Sequence, residues 1–169
     1  MGQAIKKNKV EYIDRVHGNS KGWITRSCID ENGYSQWHYK YLELKETDLT
    51  GENIYITLNT FYKPCRRLEC IKELNFVYID LDYYKTKYTK EQVIMNLESN
   101  YFNKIIPATN YIIDSGRGLA LLWNINKVPS QALPLWKAIQ EYLYHQLKEF
   151  GADRQALDAT RVLRVPGSI

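Results

Sequence analysis

Cysteine is scarce in this chain: only Cys28, Cys65 and Cys70 occur. The count is odd and no two stand as Cys-x-x-Cys, so neither a disulfide framework nor a zinc knuckle is indicated, and a cytoplasmic, reducing setting is expected. Histidine is equally rare, and His17, His38 and His145 show no metal-ligand spacing. No Ser/His/Asp or Cys/His grouping points to nucleophilic catalysis. No Gly-Lys-Ser/Thr follows a glycine-rich stretch, which excludes a Walker P-loop. No apolar run approaches the length of a membrane span, and the start, Met1 to Lys7, lacks the apolar core of a signal peptide. Internal repeats and low-complexity linkers are missing too.

What is present fits a soluble globular protein. The 169 residues suffice for one domain or two small modules sharing a core. The 44% apolar and 25% charged fractions are ordinary, so composition places the chain in no fibrous or disordered class. Tyrosine is abundant, with 14 copies beside 4 Trp, and such rings either fill a core or stack on bases. A net charge of +4 is compatible with a polyanionic partner without proving one.

Residues 1–50 read as polar and irregular, with short β-like pieces such as 22–25 and a hairpin-turn signal at Asn32-Gly33. Lys6, Lys7, Lys9, Arg15, Lys21 and Arg26 make this part basic. Residues 51–169 carry the motifs. Residues 54–58 are β-prone, and Lys63, Arg66 and Arg67 follow. Thr89 to Gln92 has the form of a capping box, opening a helix with Val93, Ile94 and Leu97 on its inner face. Residues 111–113 and 119–123 read as strands joined by a glycine-rich turn. From about Gln131 to Phe150 the stripe Leu135, Ile139, Leu143, Leu147 predicts a helix, with Pro134 in its first turn and Gly151 as its stop. A last extended piece follows. This order favours α+β over a regular βαβ array.

Three constellations carry chemistry. In Ile79-Asp80-Leu81-Asp82 an apolar, β-prone run acquires two carboxylates two positions apart. Side chains at i and i+2 of a strand leave the same face. Like charges so placed repel unless a cation sits between them, and hard divalent ions take carboxylate oxygens. The bland alternative is the solvent face of a strand. The turn Ser115-Gly116-Arg117-Gly118 offers two glycines for close backbone approach, a hydroxyl and a guanidinium suited to phosphate. The alternative there is an ordinary glycine hairpin with an exposed arginine. Last, Leu157-Asp158 is followed by Arg161, Arg164 and Pro166-Gly167-Ser168. Asp158 is either a salt-bridge partner of these arginines or a third metal ligand.

In this order the three segments resemble the archaeo-eukaryotic primase superfamily, and within it the primase-polymerase domains of replication proteins carried by plasmids, phages and integrated elements. Its hydrophobic-Asp-x-Asp strand is matched by residues 79–82, its Ser-Gly-x-Gly turn by 115–118 and its hydrophobic-Asp by Leu157-Asp158. The Arg-x-x-Arg-x-Pro-Gly-Ser run of the mobile-element branch is matched by 161–168. The resemblance covers the chain from about Tyr55 onward. It departs at Ala120, where many members place a phosphate-contacting histidine. The chain also stops at Ile169 where relatives continue, so a fragment of a longer replication protein is expected.

The resemblance implies an N-terminal α/β module packed on an RRM-like antiparallel sheet, with the active site between them. It implies template-directed nucleotidyl transfer with Mg²⁺ or Mn²⁺ in a two-metal site held by Asp80, Asp82 and Asp158. Ser115, Gly116, Arg117 and Gly118 would hold the triphosphate of a ribo- or deoxyribonucleotide, joined by Arg161 and Arg164. The implied partners are a single-stranded DNA template and primer, and a helicase or helical template-binding region outside this chain. No membrane is expected. Two other readings remain open: a catalytically inactive single-stranded DNA-binding or origin-recognition module, and a metal-dependent nuclease or nucleotide-sugar transferase using the same Asp-x-Asp.

Overall fold

The computed structural model describes residues 9–47, 49 and 51–168. Of the first fifty residues, those described are mostly helix and strand, which corrects the expectation of an irregular segment there. Helix α1 (Lys9–His17) precedes a hairpin of β1 (Ile24–Asp30) and β2 (Gly33–Tyr39), then a short helix α2 (Tyr41–Glu46). α1 buries Tyr12, Ile13 and Val16. These positions form one helical stripe, masked by the charged residues opposite. Lys6 and Lys7 lie outside the described residues. The hairpin forms where Asn32-Gly33 signalled a turn, but Asp30 pairs with Gly33, so Glu31-Asn32 makes the turn. Asp30 Oδ1 accepts the Asn32 amide at 2.8 Å, and Gly33, at φ +107°, opens β2.

β3 (Ile54–Thr57) and β8 (Val162–Arg164) extend the hairpin into an antiparallel sheet of order β2-β1-β3-β8. Its register lines up Gln36, Ser27, Tyr55 and Arg164 in one row. A second sheet has the order β4-β5-β7-β6, from β4 (Thr60–Phe61), β5 (Ile71–Leu81), β6 (Tyr111–Asp114) and β7 (Leu119–Pro129). β5 is buried without interruption from Leu74 to Ile79, as a strand covered on both faces requires.

Helix α3 (Lys90–Asn96) starts at the expected capping box. Gln92 N donates to Thr89 Oγ1 at 3.3 Å and Thr89 N to Gln92 Oε1 at 2.9 Å. Helix α4 (Leu133–Leu147) has Pro134 in its first turn, and Gly151 closes the segment at φ +81°. Its inner face differs from the expected stripe. Trp136, Gln140, Leu143 and Leu147 are buried, whereas Leu135 and Ile139 are 63% and 39% exposed. The helix carries two overlapping apolar stripes, and the one holding the large Trp136 ring takes the interior.

The chain forms two compact units, one of Val77–Asn124 and Pro134–Asp158, the other of the described residues up to Phe76 with Ile125–Leu133 and 159–168. In the first, Tyr78 meets Trp136 edge-on at 5.7 Å, and Phe150 packs against Tyr88 and Tyr101 at 5.3 and 5.2 Å. In the second, Ile13, Ile24, Ile54, Ile56 and Phe61 are fully buried, each such side chain stabilising by about 1.5–3 kcal/mol. Asn59 organises this unit's polar interior. It donates to Ala159 O at 3.0 Å and accepts the Asn75 amide at 2.9 Å. His17 is wholly buried there, contacts Thr57 O at 2.7 Å through Nε2, and has its pKa pushed down to about 4 by burial. No described helix is long and apolar enough to cross a membrane.

Candidate active site

β5 ends at Leu81, so Asp80 is in the strand and Asp82 lies just past it, at φ −82° and ψ 58°. Both are half-buried. The main chain here is anchored at alternate residues. The buried Gln140 carboxamide accepts from Tyr78 N at 3.0 Å and donates to Tyr78 O at 2.9 Å. Asp153 N donates to Asp80 O at 2.8 Å and Asp82 N to Gly151 O at 2.8 Å, with Leu81 opposite Ala152 as an antiparallel bridge. Gly151 is needed twice over, for its positive φ and because a Cβ there would lie 2.6 Å from Asp82 O.

Past Asp82 the chain turns through a 3₁₀ segment, Tyr83–Lys85. Side chains three residues apart eclipse in that geometry, and Lys85 Nζ meets Asp82 Oδ2 at 2.6 Å. Hydrogen bonds to Asp82 and then to Tyr84 hold the lysine pKa above its usual value.

The Ser115 turn joins β6 to β7 and is held by its own atoms. Ser115 N and Oγ both donate to Gly118 O, at 3.0 and 3.1 Å, and Gly118 N donates to Ser115 Oγ at 3.1 Å. Gly116, at φ +88°, donates its amide to Asp114 Oδ1 at 2.8 Å. Both glycine amides thus donate within the turn, and Arg117 is exposed. Lys90 Nζ pairs with Asp114 Oδ2 at 3.0 Å. Burial works against the Asp114 charge, but the Gly116 amide and Lys90 together outweigh it and lower the pKa. The turn lies directly on the aspartate strand: a Cβ on Gly118 would stand 2.6 Å from Leu81 O, between Asp80 and Asp82. Ala120 is 5% exposed and pairs with Ile113 of β6.

Asp158 is exposed and follows the 3₁₀ turn Arg154–Leu157. Its carbonyl accepts the Tyr78 hydroxyl at 2.6 Å, and Gln140 Nε2 donates to Ala156 O at 3.0 Å. Asp80, Asp82, the Ser115 turn and Asp158 therefore belong to one compact unit, while Arg161 and Arg164 belong to the other. Arg164 is engaged by Tyr55, donating to its hydroxyl at 2.8 Å with the guanidinium 5.3 Å from the ring centre. Arg66 reaches Gln36 Oε1 at 3.2 Å, the Tyr34 hydroxyl at 3.2 Å and Thr160 O at 3.0 Å.

Among the described residues no three His, Cys, Asp or Glu side chains group closely enough to hold one ion, so the three aspartates are not gathered into a single cluster. The donor chemistry of Asp80 and Asp82 nonetheless fits Mg²⁺ or Mn²⁺. Such ions are commonly held by one or two carboxylates with substrate phosphates and water completing the shell. A cation, the Lys85 ammonium, already meets Asp82.

Sequence reasoning missed Gln140, Tyr78 and Lys85. Gln140 had a signal, being the one polar residue on the Trp136, Leu143, Leu147 face. Lys85 had one too, standing three residues after Asp82 in a segment too short for a helix.

The chain is 74% identical over all 169 residues to a replication protein of Clostridium perfringens, of whose length it spans 42%. No protein-family profile matches it. In structure it resembles the AEP domain of the cyanophage S-2L primase-polymerase, with a TM-score of 0.63 and 15% identity, over 93% of this chain and 80% of that one. The chain thus has the archaeo-eukaryotic primase fold, as the resemblance of its motifs implied, in a segment that aligns from end to end with part of a replication protein.

Proposed function

We propose that this chain is the nucleotidyl-transfer domain of a replication protein, joining nucleoside triphosphates to a primer on a single-stranded DNA template. The observation that carries the reading is the seat of Gly118 on the Leu81 carbonyl. It brings the Ser115 turn against the end of β5, between Asp80 in the strand and Asp82 just past it. A 3′-hydroxyl attacks the α-phosphate and pyrophosphate leaves, a reaction governed by positioning and charge neutralisation. Asp80 and Asp82, with Asp158 after a local adjustment, would hold Mg²⁺ or Mn²⁺, which supplies charge stabilisation to the attacking and leaving oxygens. Arg117, Ser115 and the Gly116 and Gly118 amides would take the triphosphate, the amides exchanging their partners within the turn for phosphate oxygens. Arg161 and Arg164 would meet the template or phosphates.

Steady-state nucleotide incorporation on a primed single-stranded template, with Mg²⁺ or Mn²⁺, tests this. Asp80→Asn is expected to lower incorporation about a hundred- to a thousandfold, as losing a transition-state charge contact does, with the fold intact by circular dichroism. Retention of near wild-type synthesis would sink the metal assignment. Ala120 and the inward-donating amides favour one second reading, a single-stranded DNA-binding module without synthesis. It predicts template binding and no incorporation by the unaltered chain.

A further inference from the structure

Lys85 stands on a carboxylate that the proposed chemistry needs. Its ammonium meets Asp82 Oδ2 at 2.6 Å, and it lies 5.3 Å from the Tyr84 ring centre. The lysine side chain is 60% exposed and that of Asp82 27%, so the lysine is the partner free to move. Its main chain is fixed by Lys85 N donating to Asp82 O at 2.9 Å, which keeps the four-carbon stem within reach of the same locale.

We propose that Lys85 exchanges partners. It neutralises Asp82 until a divalent ion takes that carboxylate, and then turns its ammonium to the phosphates of the incoming nucleoside triphosphate. The inference rests on reading Asp80 and Asp82 as the metal-binding pair. Two cations compete for one carboxylate, and the displaced one is left beside a polyanion. A lysine suits this role as a mobile point charge. The exposed pair is weak, so the ion displaces it at a cost of about fivefold in affinity at most. Metal and nucleotide binding become coupled through the lysine, each strengthening the other.

The test uses the whole chain in two binding measurements, neither of which depends on turnover. Mn²⁺ affinity is read by electron paramagnetic resonance without nucleotide, and affinity for a fluorescent nucleoside triphosphate is read by polarisation with Ca²⁺ present. Lys85→Met is expected to tighten Mn²⁺ up to about fivefold and to weaken nucleotide about tenfold, the size of one charged hydrogen bond. Lys85→Arg is expected to stay near the wild type in both. A Mn²⁺ affinity that does not rise, or a nucleotide affinity that does not fall, in Lys85→Met overturns the exchange. If the unaltered chain and Asp80→Asn take up Mn²⁺ alike, the metal reading of the aspartates is itself overturned.

Discussion

The two halves of the candidate site are held in place by opposite means. The end of β5, with Asp80 and Asp82, is gripped from far along the chain by Gln140, Gly151 and Asp153. The Ser115 turn is tied by its own residues, through Ser115 and Asp114. The carboxylates therefore sit on an anchored main chain, while the turn's donors can be re-aimed by changing bonds three residues apart. If the proposed nucleotidyl-transfer site is right, it would gain from this division, because the rigid half would set the geometry and the local half would adapt.

The comparison can be broken at the anchored half first. Gln140→Leu removes three buried hydrogen bonds, to Tyr78 N, Tyr78 O and Ala156 O, and should cost about 3 kcal/mol. Denaturant unfolding reads this directly, and a cost below 1 kcal/mol would mean the grip is dispensable. Gly118→Ala attacks the contact between the halves. Its Cβ has no room at 2.6 Å from Leu81 O, so the turn must lift or the strand bend, at about 2 kcal/mol and with weaker nucleotide binding. A wild-type melting temperature would show the approach to be loose.

Smaller changes probe the local half. Ser115→Ala deletes the hydroxyl bonds inside an accessible turn and should cost about 1 kcal/mol, measured by the same unfolding curves. Acid gives the finest discrimination. Asp114 has a lowered pKa in the folded chain. Its contribution is therefore complete above the ordinary carboxylate range and is lost as pH falls through its folded pKa. The Gly116 amide should exchange faster with solvent on such acidification, once base-line pH effects are removed, while the Tyr78 amide, bound to the uncharged Gln140, should not. Equal responses would erase the distinction.

The legible parts of the molecule were those whose causes are local. The Thr89 capping box, the strands around the Ser115 turn and the Gly151 stop all stand where neighbouring residues placed them. The Asp80-Leu81-Asp82 motif was legible as two carboxylates in a β-prone run, but the end of β5 at Leu81 was not, because that depends on the 3₁₀ turn that follows. Gln140 escaped notice because its partners, Tyr78 and Ala156, are 62 and 16 residues away. The exposed stripe of α4 misled for a related reason. Leu135 and Ile139 are as apolar as the buried positions, and only packing of Trp136 against Tyr78 selects the face. In α1 the apolar residues had helical spacing, but the surrounding polarity hid it. Gly151 was read only as a helix stop, although it also gives the Asp82 carbonyl room.

The most direct test of the central claim is a crystal structure of the chain with Mn²⁺ and a non-hydrolysable nucleoside triphosphate. The account predicts anomalous density for manganese at Asp80 and Asp82, the phosphates against Ser115 to Gly118, and Lys85 moved from Asp82 onto a phosphate. Manganese and nucleotide bound away from Asp80 and Asp82 would contradict it.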